Sequence, residues 1–164
     1  MLLSEKTRFT ALWLLSTIST VIEDRTLACP FFFPTERAHD IALPHPARLP
    51  LGAAWRGVCQ ARSEQSAPNS QELQACNLGY AHSCARLPEK RVCDAVRFGV
   101  VTESIGRVAI QFVLESQHLP VAHGRLEYDR LGQMSASVHP EPRVQHMAEC
   151  FLRSYLERRN SVSG

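Results

Sequence analysis

Nothing in this chain is long and apolar enough to suggest a membrane-spanning helix. Its main apolar run, residues 9–22, falls short of the ~20 residues a spanning helix needs. Charge of one sign is equally scarce. Lys and Arg total 18 against 16 Asp and Glu, and the net +2 is too small to mark a nucleic-acid or membrane-surface partner. The sequence has no G-x-S-x-G elbow, no H-E-x-x-H, no P-loop, no dinucleotide fingerprint and no internal repeat. Ser83, His118 and Asp129 make a triad only on paper, as such residues do in most chains. No catalytic residue is assigned, and an enzymatic role is left without a motif. The close C-x2-C pairs of zinc ribbons and knuckles are missing too.

What the chain does have is a core and thiols. Its 164 residues, 45% hydrophobic and 21% charged, are ordinary for one folded domain. A chain of this size buries roughly 70% of its unfolded surface, so it needs no staples to fold. The six cysteines are Cys29, Cys59, Cys76, Cys84, Cys93 and Cys150. In an oxidising compartment they would read as a disulfide framework, and in a reducing one as metal or thiol chemistry.

The N-terminus should decide the compartment, and it points both ways. Lys6 and Arg8 ahead of the apolar run fit a signal peptide, and Thr26-Leu27-Ala28-Cys29 hints at a lipoprotein cleavage box. Against this, Glu23, Asp24 and Arg25 break the apolar region just before the cut, and Thr26 stands where leucine is usual. Ala11, Leu14, Leu15, Ile18 and Ile22 also share one face of an amphipathic helix. The expectation is a cytoplasmic protein, with export as the alternative if residues 1–28 act as a signal.

Pro30, Pro34, Pro44, Pro46 and Pro50 then crowd one segment, excluding a long helix or a central strand. An irregular segment of this length needs an anchor, and ligation at Cys29 and Cys59 would supply one. Asn69 and Glu72 match a capping box, starting a helix that turns Cys76 inward and ends near Gly79. Residues 95–101 and 108–114, rich in branched and aromatic side chains, predict a β-hairpin turning through 103–107. Short strands are expected at 125–129 and 134–138. A final helix over 142–159 should start at Pro142 and bury Val144, Met147, Ala148, Phe151, Tyr155 and Leu156. The expected fold class is α+β: an irregular Pro/Cys-rich N-terminal half, a small antiparallel β-sheet and a C-terminal packing helix. Residues 1–25 form an extension or signal-like segment, 26–159 one domain and 160–164 a tail.

Cys29, Cys59, Cys76 and Cys84 are the candidate ligands. Four thiolates can satisfy a tetrahedral zinc or the corners of a [4Fe–4S] cluster, and wide scatter with one cysteine directly before proline favours the cluster. Free cysteine is also a common buried residue, so inert packing is the competing reading. Cys93 and Cys150 read as packing residues, with Cys93 the substitute should one ligand be misassigned. His82, between two candidate ligands, could complete a Cys3His site. His118 and His123 fall in a loop after the second strand of the hairpin, while His39, His45 and His139 should be exposed. The basic turns at Arg153, Arg158 and Arg159 complement a helix dipole.

Four segments are distinctive together: Cys29-Pro30-Phe31-Phe32-Phe33-Pro34-Thr35, Arg48-Leu49-Pro50-Leu51-Gly52, Cys76-Asn77-Leu78-Gly79-Tyr80-Ala81 and Ser154-Tyr155-Leu156-Glu157-Arg158-Arg159. They resemble a group of short, cysteine-containing bacterial proteins of unassigned activity. The resemblance covers about residues 29–159 and implies that the N-terminal run is an extension. It supplies no reaction, substrate or catalytic residue. The sequence thus leads to a small bacterial protein binding an iron–sulfur cluster, or alternatively zinc, through those four cysteines. Its partner would be an unknown protein or redox protein, with no nucleic acid and no membrane span. The alternative is an exported, disulfide-stabilised interaction protein with no metal.

Overall fold

The computed structural model describes residues 27–41, 43, 49–79 and 84–162. The expectations for residues 1–25, His45, His82 and Ser83 lie outside the described residues. The fold is α+β, and the described residues form two antiparallel sheets and two helices in the order β1 (Phe32–Arg37), β2 (Trp55–Cys59), α1 (Ser70–Leu78), β3 (Ala95–Glu103), β4 (Arg107–Ser116), β5 (Leu119–Asp129), β6 (Met134–Ser135) and α2 (Pro142–Val162).

The expected hairpin is β3–β4, running from Ala95↔Glu115 to Glu103↔Val108 with one bulge between Val100 and Thr102. Alternation puts Val108, Ile110 and Phe112 on one buried face of β4, against the inner face of α2. The four-stranded sheet is completed by β5 and β6 in the order β3-β4-β5-β6. Here the sequence expectation needs correcting. Residues 119–123 are not loop but the first half of β5, so His123 pairs with Val113 inside the sheet. The turn is only Gln117-His118, both at positive φ (50° and 66°). That is the backbone of a tight hairpin turn whose twist suits its strands, made without the usual glycine or asparagine. Pro120 is tolerated because β6 pairs only with Tyr128 and Asp129, leaving this end of β5 an edge. The expected strand over 134–138 shrinks to Met134–Ser135.

The proline-rich front half is also more regular than the sequence suggests. β1 and β2 pair antiparallel from Phe32↔Cys59 to Arg37↔Trp55, with a register shift between Pro34 and Glu36. A two-stranded sheet has only edges, and the bulge falls beside the proline, so the missing N–H disturbs no central ladder. The segment before β1 pairs with the other sheet: Ala28 exchanges backbone hydrogen bonds with Val96 at 2.6 and 2.9 Å.

α2 packs on β1, β3 and β4, and so ties the two sheets into one core. Packing on two sides explains why Cys150, Leu152 and Ser154 are buried along with Val144, Met147 and Ala148. Phe151 and Leu156 are partly buried against that core, and Tyr155 donates from its hydroxyl to Glu103 at 2.6 Å. The helix continues to Val162, so residues 160–162 are helical rather than tail. Arg37 fastens β1 to α2 through Ser154 Oγ (2.7 Å) and Glu157 (3.1 Å). Among the described residues, no helix is long and apolar enough to cross a membrane.

Candidate metal centre

The four candidate thiols come from four different pieces of chain. Cys29 follows the Ala28 bridge and accepts at its carbonyl from Phe32 N–H (3.1 Å) as the chain turns into β1. Cys59 ends β2 opposite Phe32, and its N–H donates to the Ser66 carbonyl at 2.9 Å. Cys76 lies on α1. Cys84 opens a turn in which its carbonyl accepts from Leu87 N–H at 3.1 Å.

α1 is too short and too weakly amphipathic to hold itself, and three contacts fix it. The expected capping box forms: Asn69 Oδ1 accepts from Glu72 N–H, and Glu72 Oε2 accepts from Asn69 N–H, both at 2.9 Å. Buried Asn77 reaches across to β2, accepting from Trp55 N–H (2.8 Å) and donating to the Trp55 carbonyl (2.9 Å) and to that of Leu73 (2.9 Å). Gly79 caps the helix at φ 89°, where a Cβ would run into the Leu27 carbonyl oxygen. The C-terminal end of α1 therefore lies directly on the backbone that leads into Cys29.

These placements bring all four thiols to the wall of one cavity of about 270 Å3, otherwise lined mainly by apolar groups such as Phe31, Ala75 and Leu87. Cys29 and Cys59 are buried, whereas Cys76 and Cys84 are half-buried. Burial pushes the Cys29 thiol from the ordinary 9.0 up to about 11. A backbone hydrogen bond from Phe31 opposes the shift, and negative charge on Cys59 and Cys84 adds to it. Cys76 is pushed up to about 12, first by burial and then by charge on Cys29, Cys59 and Cys84. The thiols are thus close enough to resist one another's ionisation, and a cation among them would reverse that.

Among the described residues, no group of three or more His, Cys, Asp or Glu has the arrangement that a single metal ion requires. A tetrahedral zinc would draw its sulfurs to roughly 3.8 Å from one another, from Zn–S bonds near 2.3 Å. Here the four cysteines share the lining of one cavity. None of the six cysteines is joined to another.

Beside the cavity stands a pair that the sequence reading missed. Arg86 forms a two-pronged ion pair with Glu72 (Nε–Oε1 2.9 Å, Nη2–Oε2 2.8 Å) and donates to Ser66 Oγ at 2.5 Å. Glu72 holds the Arg86 guanidinium above its ordinary pKa, and negative charge on Cys59 would add to that. Through these contacts Arg86 joins the segments that carry Cys59, Cys76 and Cys84. Glu72 was legible as a capping residue, but nothing in the sequence marks its second partner.

The remaining candidates separate cleanly. Cys150 is fully buried on α2 within the core, and Cys93 is buried at the entry to β3, where it lines a separate cavity. His39, His118 and His123 are exposed. His139 is not: it is half-buried, edge-on to Phe112 with ring centroids 4.6 Å apart, and its Nδ1 accepts from Glu141 N–H at 2.9 Å. His146, which the sequence did not single out, stacks on Phe33 at 4.0 Å. His118 and Asp129 flank the two ends of the eleven-residue β5, roughly 30 Å apart, which dissolves the paper triad. No family model, curated protein or solved structure matches the chain.

Proposed function

We propose that Cys29, Cys59, Cys76 and Cys84 ligate an iron–sulfur cluster in a reducing, cytoplasmic setting, with zinc as the alternative occupant. The observation that carries this reading is that the four cysteines, from four separate segments, line one cavity of about 270 Å3. A cluster places several atoms between its thiolates and so suits a space better than a point. The apolar walls would keep water from the sulfurs, and Arg86 would offset the negative charge of the ligated group next to Cys59. The physical role follows from where the ligands sit. One group would fasten the start of β1, the end of β2, α1 and the turn after it to one another. Whether it also passes electrons to a protein partner depends on its potential.

The test is anaerobic purification of the full chain, with a visible spectrum and iron, sulfide and zinc analysis. Stoichiometric iron and sulfide with charge-transfer absorption is the expected result, lost in Cys76→Ala. Stoichiometric zinc alone would make the site structural and remove the redox role. Folded, colourless, metal-free protein would overturn the ligand reading, and cross-linked thiols in native material would replace it with an exported, disulfide-stabilised protein.

A further inference from the structure

A second cavity, of about 350 Å3, shares Phe31 with the first and is lined by Cys93 but by none of the four candidate ligands. Its walls are mainly apolar, including Phe31, Leu114 and Val144, and Val92 stands at its edge with its side chain 80% exposed.

The polar groups around this cavity are mostly cationic. Arg143 lies over the Phe31 ring at 4.9 Å and pairs with Glu141 at 2.9 Å. Arg91 is held by Asp94 and by the Pro88 carbonyl, the latter at 2.9 Å. Lys90 completes the rim and has no ion-pair partner among the described residues. The pairs fix two guanidinium groups in place and leave one ammonium uncompensated. Cavities of a few hundred Å3 with apolar walls and a few convergent polar groups are the usual form of a small-molecule site. The volume corresponds to on the order of ten waters, which is the scale of a medium-chain organic acid.

We infer that this cavity binds a small carboxylic acid with an apolar body, its carboxylate at Lys90 and its chain against Phe31, Leu114 and Val144. Charge complementarity selects the anion: a neutral or cationic molecule of the same shape would leave the Lys90 rim unanswered. The inference stands independently of what the four thiols hold. Phe31 is a wall of both cavities, so an occupant of one touches the ring that bounds the other.

The experiment is isothermal titration of the full chain with octanoate, octan-1-ol and octylamine. Saturable one-to-one binding of octanoate is expected, roughly tenfold tighter than octan-1-ol, because a charge-assisted hydrogen bond is worth that much. Lys90→Gln should erase that preference while octan-1-ol binding is retained. Val92→Trp, at an exposed position that the fold does not need, should weaken both ligands by covering the mouth. No saturable octanoate binding at millimolar concentration would overturn the inference. So would equal affinity for the alcohol, or an unchanged preference in Lys90→Gln.

Discussion

Replacing Asn77 with alanine should damage this protein more than any other single polar substitution on α1. The Asn77 side chain is 5% exposed and reaches Trp55, which is 1% exposed, through both of that residue's backbone groups. Alanine leaves the Trp55 N–H and carbonyl inside the protein without partners. Each such orphan costs about 1–3 kcal/mol, so the expected loss is about 2–4 kcal/mol once some relaxation is allowed. For a chain of this size that is a fall in Tm on the order of 5–15 °C. Urea denaturation is the assay, and the midpoint should drop with little change in slope. Asn77→Asp is a useful companion, because it keeps the acceptor for Trp55 N–H but loses both donated bonds. A loss under about 0.5 kcal/mol for the alanine variant would refute the reasoning, since it would mean that α1 is not held to β2 through this side chain.

Other consequences can be checked alongside. Gly79→Ala should be destabilising and should lower metal retention, because a Cβ at φ 89° meets the Leu27 carbonyl oxygen; unchanged stability and metal content would count against the packing of α1 on the Cys29 segment. Met147→Ala should cost about 2–5 kcal/mol as a fully buried side chain is cut to a cavity, again read by urea denaturation. In the metal-free protein, Cys29 and Cys76 titrate near 11 and 12 when folded but near 9.0 when unfolded. Their contribution to stability is therefore complete below pH 9 and lost as pH rises toward 11–12, measurable as a falling denaturation midpoint. Ligation must expel the same protons, so uptake of iron or zinc should release acid and strengthen with rising pH.

The parts of the fold that were legible in the sequence are those written in local patterns. The hairpin β3–β4 shows its branched and aromatic runs, α1 shows its capping box, and α2 shows Pro142 followed by an apolar stripe. What was hidden depends on distant partners or on unmarked turns. β1 and β2 pair across some twenty residues, and Pro34 disguises the first of them until its bulge is seen. Only two residues separate β4 from β5, a Gln-His turn that carries no glycine to announce it. The thiol set was reached from a need for anchorage, and the fold then supplied a reason for its geometry in Asn77 and Gly79. Arg86 could not be anticipated, because its tie to Glu72 spans fourteen residues and to Ser66 twenty.

The most direct test of the account is a count of iron, sulfide and zinc per chain in anaerobically purified protein, repeated for single alanine variants at all six cysteines. The account predicts that Cys29→Ala, Cys59→Ala, Cys76→Ala and Cys84→Ala each lose the bound group, while Cys93→Ala and Cys150→Ala keep it. A metal-free parent protein, or full retention in any of the first four variants, would contradict it.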